Sequence, residues 1–184
     1  MIADKSALLV IDVQNQFVEG LPEEMKGLSV VESVKHVIEA FRKAGRPIIY
    51  FREVHRKNLV DFGRELDGDE DVHAVEETRA ADYFTGIEPL PEEYQIVKRR
   101  YSGFFGTDLE ILLRGLGIEH IYGVGLLTDV CVHYTCADAH QHDYHIHVVR
   151  EAVGGSSLVA HEAALAAIEY LQHGSVIREK EVCE

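Results

Sequence analysis

Three residues of this chain could together move a proton and attack a carbonyl: Asp12 in Leu8-Leu9-Val10-Ile11-Asp12-Val13, Lys98 in Gln95-Ile96-Val97-Lys98, and Cys131 in Thr128-Asp129-Val130-Cys131. A thiol needs a base to become a nucleophile, and a nearby cation stabilises the charge that results. An aspartate at the end of an apolar run is unfavourable to bury alone, and Lys98 has the right sign to partner it. The same two residues could equally form an ion pair that only satisfies two strand ends.

Cys131 follows an apolar run, His120 to Leu127, that breaks at Thr128-Asp129, residue types that favour helix N-caps. The pattern predicts a buried parallel strand and places the cysteine in the first turn of the next helix. Unpaired N–H groups and the positive helix end there favour a thiolate and could hold a developing oxyanion. The competing reading is a small buried hydrophobe at a strand–helix junction.

The elements that must position these residues alternate apolar runs with helix-period stretches, the signature of a parallel α/β sheet. Strands are predicted at Ala7–Val13, Pro47–Val54, Tyr94–Lys98, His120 onward, His145–Val149 and Ser175–Arg178. Ser29-Val30-Val31-Glu32 reads as a capping box for a helix reaching Lys43 and stopped by Gly45, and Thr107-Asp108-Leu109-Glu110 reads as a second. Leu109, Leu112, Leu113 and Leu116 form the apolar stripe of the latter helix, and Leu158 to His173 an Ala-rich amphipathic one. The segment from His55 to Glu93 is polar, irregular and too long for a plain connection, so it is expected to wall a site. Asp12, Lys98 and Cys131 each fall at the carboxyl end of a strand, where open parallel sheets bind ligands.

With 184 residues and 46% hydrophobic content, a single domain spanning 1–184 is expected. The net charge of −14, from 18 basic and 32 acidic residues without a basic cluster, argues against a nucleic-acid partner. Three cysteines without framework spacing, no secretory h-region and no membrane-length apolar run point to a reduced, cytoplasmic protein. Cys131 and Cys136, five apart on one helix, are turned about 140° from each other, so they do not read as a redox pair. Cys183 reads as an exposed bystander.

Three stretches carry a family resemblance: Leu8-Leu9-Val10-Ile11-Asp12-Val13-Gln14-Asn15-Gln16-Phe17, Val97-Lys98-Arg99-Arg100-Tyr101-Ser102-Gly103-Phe104-Phe105-Gly106-Thr107-Asp108-Leu109, and Gly125-Leu126-Leu127-Thr128-Asp129-Val130-Cys131-Val132. In order and spacing they resemble the isochorismatase-like cysteine hydrolases, over Ala7 to about Ser157. The resemblance implies a doubly wound, Rossmann-like six-stranded parallel sheet with helices on both faces. It also implies a catalytic triad of Asp12 as base, Lys98, and Cys131 as nucleophile. It further implies a cis peptide at Leu126–Leu127 that aims the Leu127 N–H, with that of Cys131, at the substrate oxygen. The expected chemistry is hydrolysis of a small amide, carbamoyl or ureido compound through a Cys131 thioester, because the cysteine favours the amidase branch over vinyl-ether cleavage.

Nicotinamidases of this family hold a metal beside the triad. Glu53, His55, Asp61 and His73 stand where such ligands fall, giving a zinc-dependent nicotinamidase as the alternative, whereas the main reading requires no cofactor. Against the metal, Glu53 and His55 could be polar wall residues bonded to Arg52 or Arg64. Phe17, Tyr101, Phe104 and Thr128 are expected around the substrate, with ordinary core packing the other reading of Phe104. The tract His140–His147 reads as solvated and structural, away from the mouth. A non-catalytic thiol- or ligand-binding member of the fold is a further alternative, opposed by the intact Asp12, Lys98 and Cys131. A nucleotide-binding oxidoreductase ranks last, since no G-x-G-x-x-G follows the first strand. The resemblance suggests a homodimer or homotetramer.

Overall fold

The computed structural model describes residues 2–184. Six apolar runs pair as one all-parallel sheet: β1 (Ser6–Ile11), β2 (Ile48–Glu53), β3 (Tyr94–Lys98), β4 (His120–Leu126), β5 (His145–Gly154) and β6 (Val176–Ile177), in the order β3-β2-β1-β4-β5-β6. Strand order reverses between β1 and β4, so the carboxyl ends of these two central strands flank the crevice where such sheets bind ligands. In β1 every residue is buried, as expected of a strand covered on both faces. Ala7, Leu9 and Ile11 enter one core and Leu8 and Val10 the other.

Helices close both faces. On one side α2 (Gly27–Lys43) lays Val30, Val34, Val37 and Phe41 against Leu8, Val10 and Val124, joined by Val182 of α6 (Glu179–Cys183). On the other, α3 (Leu109–Gly115), α4 (His133–Gln141) and α5 (Leu158–Leu171) bury Leu109, Leu113, Ala139, Leu165 and Ile168. A short helix, α1 (Asn15–Glu19), follows β1. No described helix is long and apolar enough to cross a membrane.

Local signals differ from expectation at three helix starts. α2 begins at Gly27 after a left-handed Lys26, so Ser29 and Glu32 lie inside the helix and make no capping box. At α3, Thr107 Oγ1 accepts from Leu109 N, while Glu110 turns to Arg114. After β4 neither Thr128 nor Asp129 caps. A π-helical turn, Thr128–Val132, intervenes before α4, and the Leu127 carbonyl accepts from Val130 N and Val132 N at 3.1 Å each. In the histidine tract, His145 is exposed but His147 is part-buried and stacks on Tyr122 at 4.5 Å, and its pKa is pulled down to about 4 by burial and by His120 and His145. These rings lie at the amino ends of β4 and β5, opposite the crevice.

Gly125 fixes the approach of β4 to β1. It adopts φ +118°, and a Cβ there would stand 2.0 Å from the Ile11 carbonyl oxygen, immediately before Asp12. Gly125→Ala combines backbone strain with overpacking, and a loss of about 3 kcal/mol or more is expected in urea unfolding. A midpoint unchanged from wild type would show that the two strands tolerate separation here.

Candidate active site

Adjacent strand ends bring four charged or nucleophilic side chains together. Asp12 is the residue just past β1, fully buried, in the left-handed region at φ +49°, with its N–H donating to Phe51 O. Lys98 ends β3 and lies in register with Glu53, which ends β2. The Lys98 Nζ stands 2.6 Å from Asp12 Oδ2 and 2.6 Å from Glu53 Oε2, donates to Arg100 O at 3.0 Å, and lies 3.3 Å from Cys131 Sγ. Cys131, in the turn after β4, has its Sγ 3.5 Å from Glu53 Oε2.

That turn is clamped from behind. The Leu126–Leu127 peptide is cis. Thr128 Oγ1 and His161 Nδ1 share a hydrogen bond of 2.9 Å, and the Asp129 carboxylate accepts from Ser156 N at 2.8 Å and Ser156 Oγ at 2.5 Å. Gly155 permits this approach, since a Cβ there would meet Asp129 Oδ1 and His161 Cβ at 2.8 Å.

Burial and charge set the protonation states. Burial pushes Asp12 up to about 6, against the pull of Lys98. Burial works the same way on Glu53 but is outweighed by Lys98, His55 and His73, which hold its carboxyl well below the usual range. Burial opposes the Lys98 ammonium, yet Asp12, Cys131 and Glu53 raise its pKa well above the ordinary value. Burial, aided by Asp12 and Glu53 and countered by Lys98, pushes the Cys131 thiol well up. The resting centre therefore holds a thiol beside an ammonium and carboxylates, in contrast to the thiolate expected from the helix start alone.

Glu53 also faces a second group. His73 Nε2 lies 2.9 Å and His55 Nε2 3.2 Å from Glu53 Oε1, and Glu65 Oε2 lies 3.3 Å from His55 Nε2. Glu53, His55, Glu65 and His73 can each direct one ligand atom to a common point. Asp61 does not join them: its carboxylate accepts from Arg56 at 2.7 Å and pairs with Arg99, and it reaches only His55 Nδ1, at 3.5 Å. Glu65, unremarked in the sequence, takes its place. Arg52 and Arg64 are not partners of Glu53 or His55. Arg64 pairs with Asp67, and Arg52 lies over the Tyr83 ring.

The residues fit a cation. His73 Nδ1 lies 2.7 Å from the Asp71 carbonyl, which can only accept, so Nδ1 carries the hydrogen there. Nε2 then meets the Glu53 carboxylate either as imidazolium or across a metal ion. Both Glu65 carboxylate oxygens are buried without a hydrogen bond. Two imidazoles and two carboxylates are a donor set suited to zinc.

A cavity of about 200 Å³ opens onto Cys131. Phe17, Tyr101 and Leu127 line it, as do Gln16, Leu126 and Val130, which sequence reasoning missed. The segment after β2 supplies Glu70, Asp71 and His73 to its wall, held by a bridge from His55 to Val75 and by Ala74 N donating to Gln16 Oε1. Phe104 and Thr128 are not in the wall. The Phe104 ring stacks on His142 at 5.0 Å and packs against the core, and Thr128 is wholly buried on His161. The β2–β3 register was the available signal for Glu53 beside Lys98; nothing in the irregular segment marked Glu65, Glu70 or Asp71.

Residues 6–181 match the family model described as Isochorismatase domain. Over 190 residues the chain is 31% identical to the ureidoacrylate amidohydrolase RutB of Yersinia enterocolitica, covering 89% of this chain and 82% of that protein. It superposes on N-carbamoylsarcosine amidase from Thermoplasma acidophilum with a TM-score of 0.80 and 29% identity, covering 96% of this chain and 98% of the other. The pyrazinamidase of Pyrococcus horikoshii, solved in complex with zinc, gives a TM-score of 0.81 and 32% identity over 95% and 99% of the two chains.

Lys98→Met keeps the volume but leaves Asp12 and Glu53 as facing buried carboxylates. A stability loss of about 3–5 kcal/mol is expected at pH 7. Losing the cation raises both carboxyl pKa values in the folded state, so the deficit should shrink as pH falls and the pair takes up a proton. Urea unfolding at pH 7 and pH 5 checks this; a deficit that grows on acidification contradicts it.

Proposed function

The chain belongs to the isochorismatase family, and from that premise we propose that it is an amidohydrolase that cleaves the C–N bond of a small amide, carbamoyl or ureido compound through a Cys131 thioester. The observation that carries this reading is that buried Lys98, paired with Asp12, stands against Cys131, and that Cys131 itself lines the cavity.

Asp12, near neutrality in its affinity for protons, takes the thiol proton as Sγ bonds to the substrate carbonyl carbon. The Lys98 ammonium, 3.3 Å from Sγ, stabilises the charge carried by sulfur. The N–H groups of Leu127 and Cys131 receive the tetrahedral oxyanion, each contributing about 3 kcal/mol in comparable sites. Collapse expels the amine, which takes its proton from Asp12 and leaves the acyl group on sulfur. Water, deprotonated by Asp12, then attacks the thioester, and the thiol and the acid are released. Phe17 and Tyr101 flank the substrate in the cavity.

A metal-dependent variant of this reading is favoured by one observation, the convergence of Glu53, His55, Glu65 and His73 beside the cavity. These four would hold a divalent cation, which would polarise or orient a substrate heteroatom. Without it, His55 and His73 serve as imidazolium partners of the carboxylates; His55 is raised to about 9, against burial, by Glu53 and Glu65.

Cys131→Ala should lose at least about 10³-fold in ammonia release on any amide the wild type hydrolyses, at unchanged melting behaviour; full turnover by this variant would falsify the thioester route. Because Asp12 must enter as carboxylate, kcat/KM should fall about tenfold per pH unit below about 6, and a profile flat to pH 4 rules Asp12 out as the base. Metal content and turnover before and after chelator dialysis separate the two variants: loss restored by zinc supports the metal-dependent one, and unchanged turnover the metal-free one.

A further inference from the structure

The cavity that opens onto Cys131 has a one-sided electrostatic wall. Its charged lining residues are Glu53, Glu70 and Asp71, with His73 the one residue there able to carry positive charge. Glu70 is half-buried and Asp71 exposed at the rim. The remainder is apolar or neutral, including Phe17, Tyr101, Leu127 and Gln16.

Among the described residues, no nearby cation is free to receive a substrate anion. Lys98 has a fully buried side chain and is matched by Asp12 and Glu53 at 2.6 Å each. His73 faces Glu53 Oε1 at 2.9 Å and Glu70 Oε2 at 3.8 Å. Arg99 is turned to Asp61 and the Val54 carbonyl, and Arg100 to the Asp61 carbonyl, 3.7 Å from Glu65. A divalent cation held by the histidines would have its charge matched by Glu53 and Glu65. A substrate carboxylate entering here would lose its hydration, find no cation and meet the field of Glu70 and Asp71, which a partly desolvated site screens poorly.

We infer that the cavity selects small amides whose far end is neutral or positively charged and discriminates against carboxylate-bearing amides, with Glu70 and Asp71 as the specificity-determining groups. The inference rests on the amidohydrolase reading and narrows it. Ureidoacrylate and N-carbamoylsarcosine, named for the relatives above, both carry a carboxylate, and pyrazinamide does not. The fold is shared with the two solved relatives, so the choice among such substrates falls to the wall.

The test uses three planar primary amides of one shape and different charge: benzamide, 4-(aminomethyl)benzamide and 4-carboxybenzamide. In the wild type, kcat/KM for the neutral and cationic compounds should exceed that for the carboxylate by at least about tenfold, equivalent to 1.4 kcal/mol. Glu70→Gln/Asp71→Asn should narrow that ratio to within about threefold, and added salt should narrow it in the wild type. Binding of the same compounds to Cys131→Ala, by calorimetry, reads the order without hydrolysis. Ordered binding with no turnover by the wild type overturns the amidohydrolase reading and leaves the selectivity standing. Equal or preferred handling of the carboxylate, a ratio unmoved in the double variant, or no binding of any of the three overturns the selectivity.

Discussion

The Lys98 ammonium, buried between two carboxylates, is the interaction on which the rest depends. An isolated charge in such a place is strongly disfavoured, and so are two carboxylates facing each other. Only the three together are tolerable, and they come from β1, β2 and β3. The strand order, the β2–β3 register and the close approach of β4 allowed by Gly125 all serve to bring those ends level. The thiol then occupies the fourth side of an arrangement of one cation and two carboxylates, and burial, aided by those carboxylates, keeps it protonated.

Glu53 ties this centre to its neighbour. One of its oxygens faces Lys98 and the other faces His73 and His55. Whatever positive charge sits among the histidines, as protons or as an ion, is therefore sensed across one carboxylate by Lys98. Nucleophile and histidine cluster form a single electrostatic unit whose members cannot be titrated one at a time.

Much of this was legible in the chain. The central strands β1, β2 and β4 were visible as apolar runs because a parallel sheet covered on both faces leaves no alternation to misread, whereas the edge strands β3 and β6 are partly exposed. Asp12 and Lys98 stood out as charges ending such runs, and the three motif stretches carried the family. Helix starts were less legible: Ser29 and Thr128 have capping side chains, but Lys26 begins α2 and the π turn after Leu127 displaces the start of α4. Asp61 was expected from the resemblance and Glu65 went unremarked, because an irregular segment does not reveal which way the chain turns. Phe104 and Thr128 lie beside motif residues in sequence and face the core in space.

The groups proposed to perform the chemistry follow β1, end β3 or sit in the turn after β4, whereas the charged wall proposed to sort substrates belongs to the irregular stretch between β2 and β3. These two parts of the chain bear different mutational loads. Altering a strand end disturbs the sheet itself, while the wall segment is held by an isolated bridge and side-chain hydrogen bonds and can exchange residues at little expense to the core. Such a division lets one hydrolytic centre be inherited unchanged while its diet diverges.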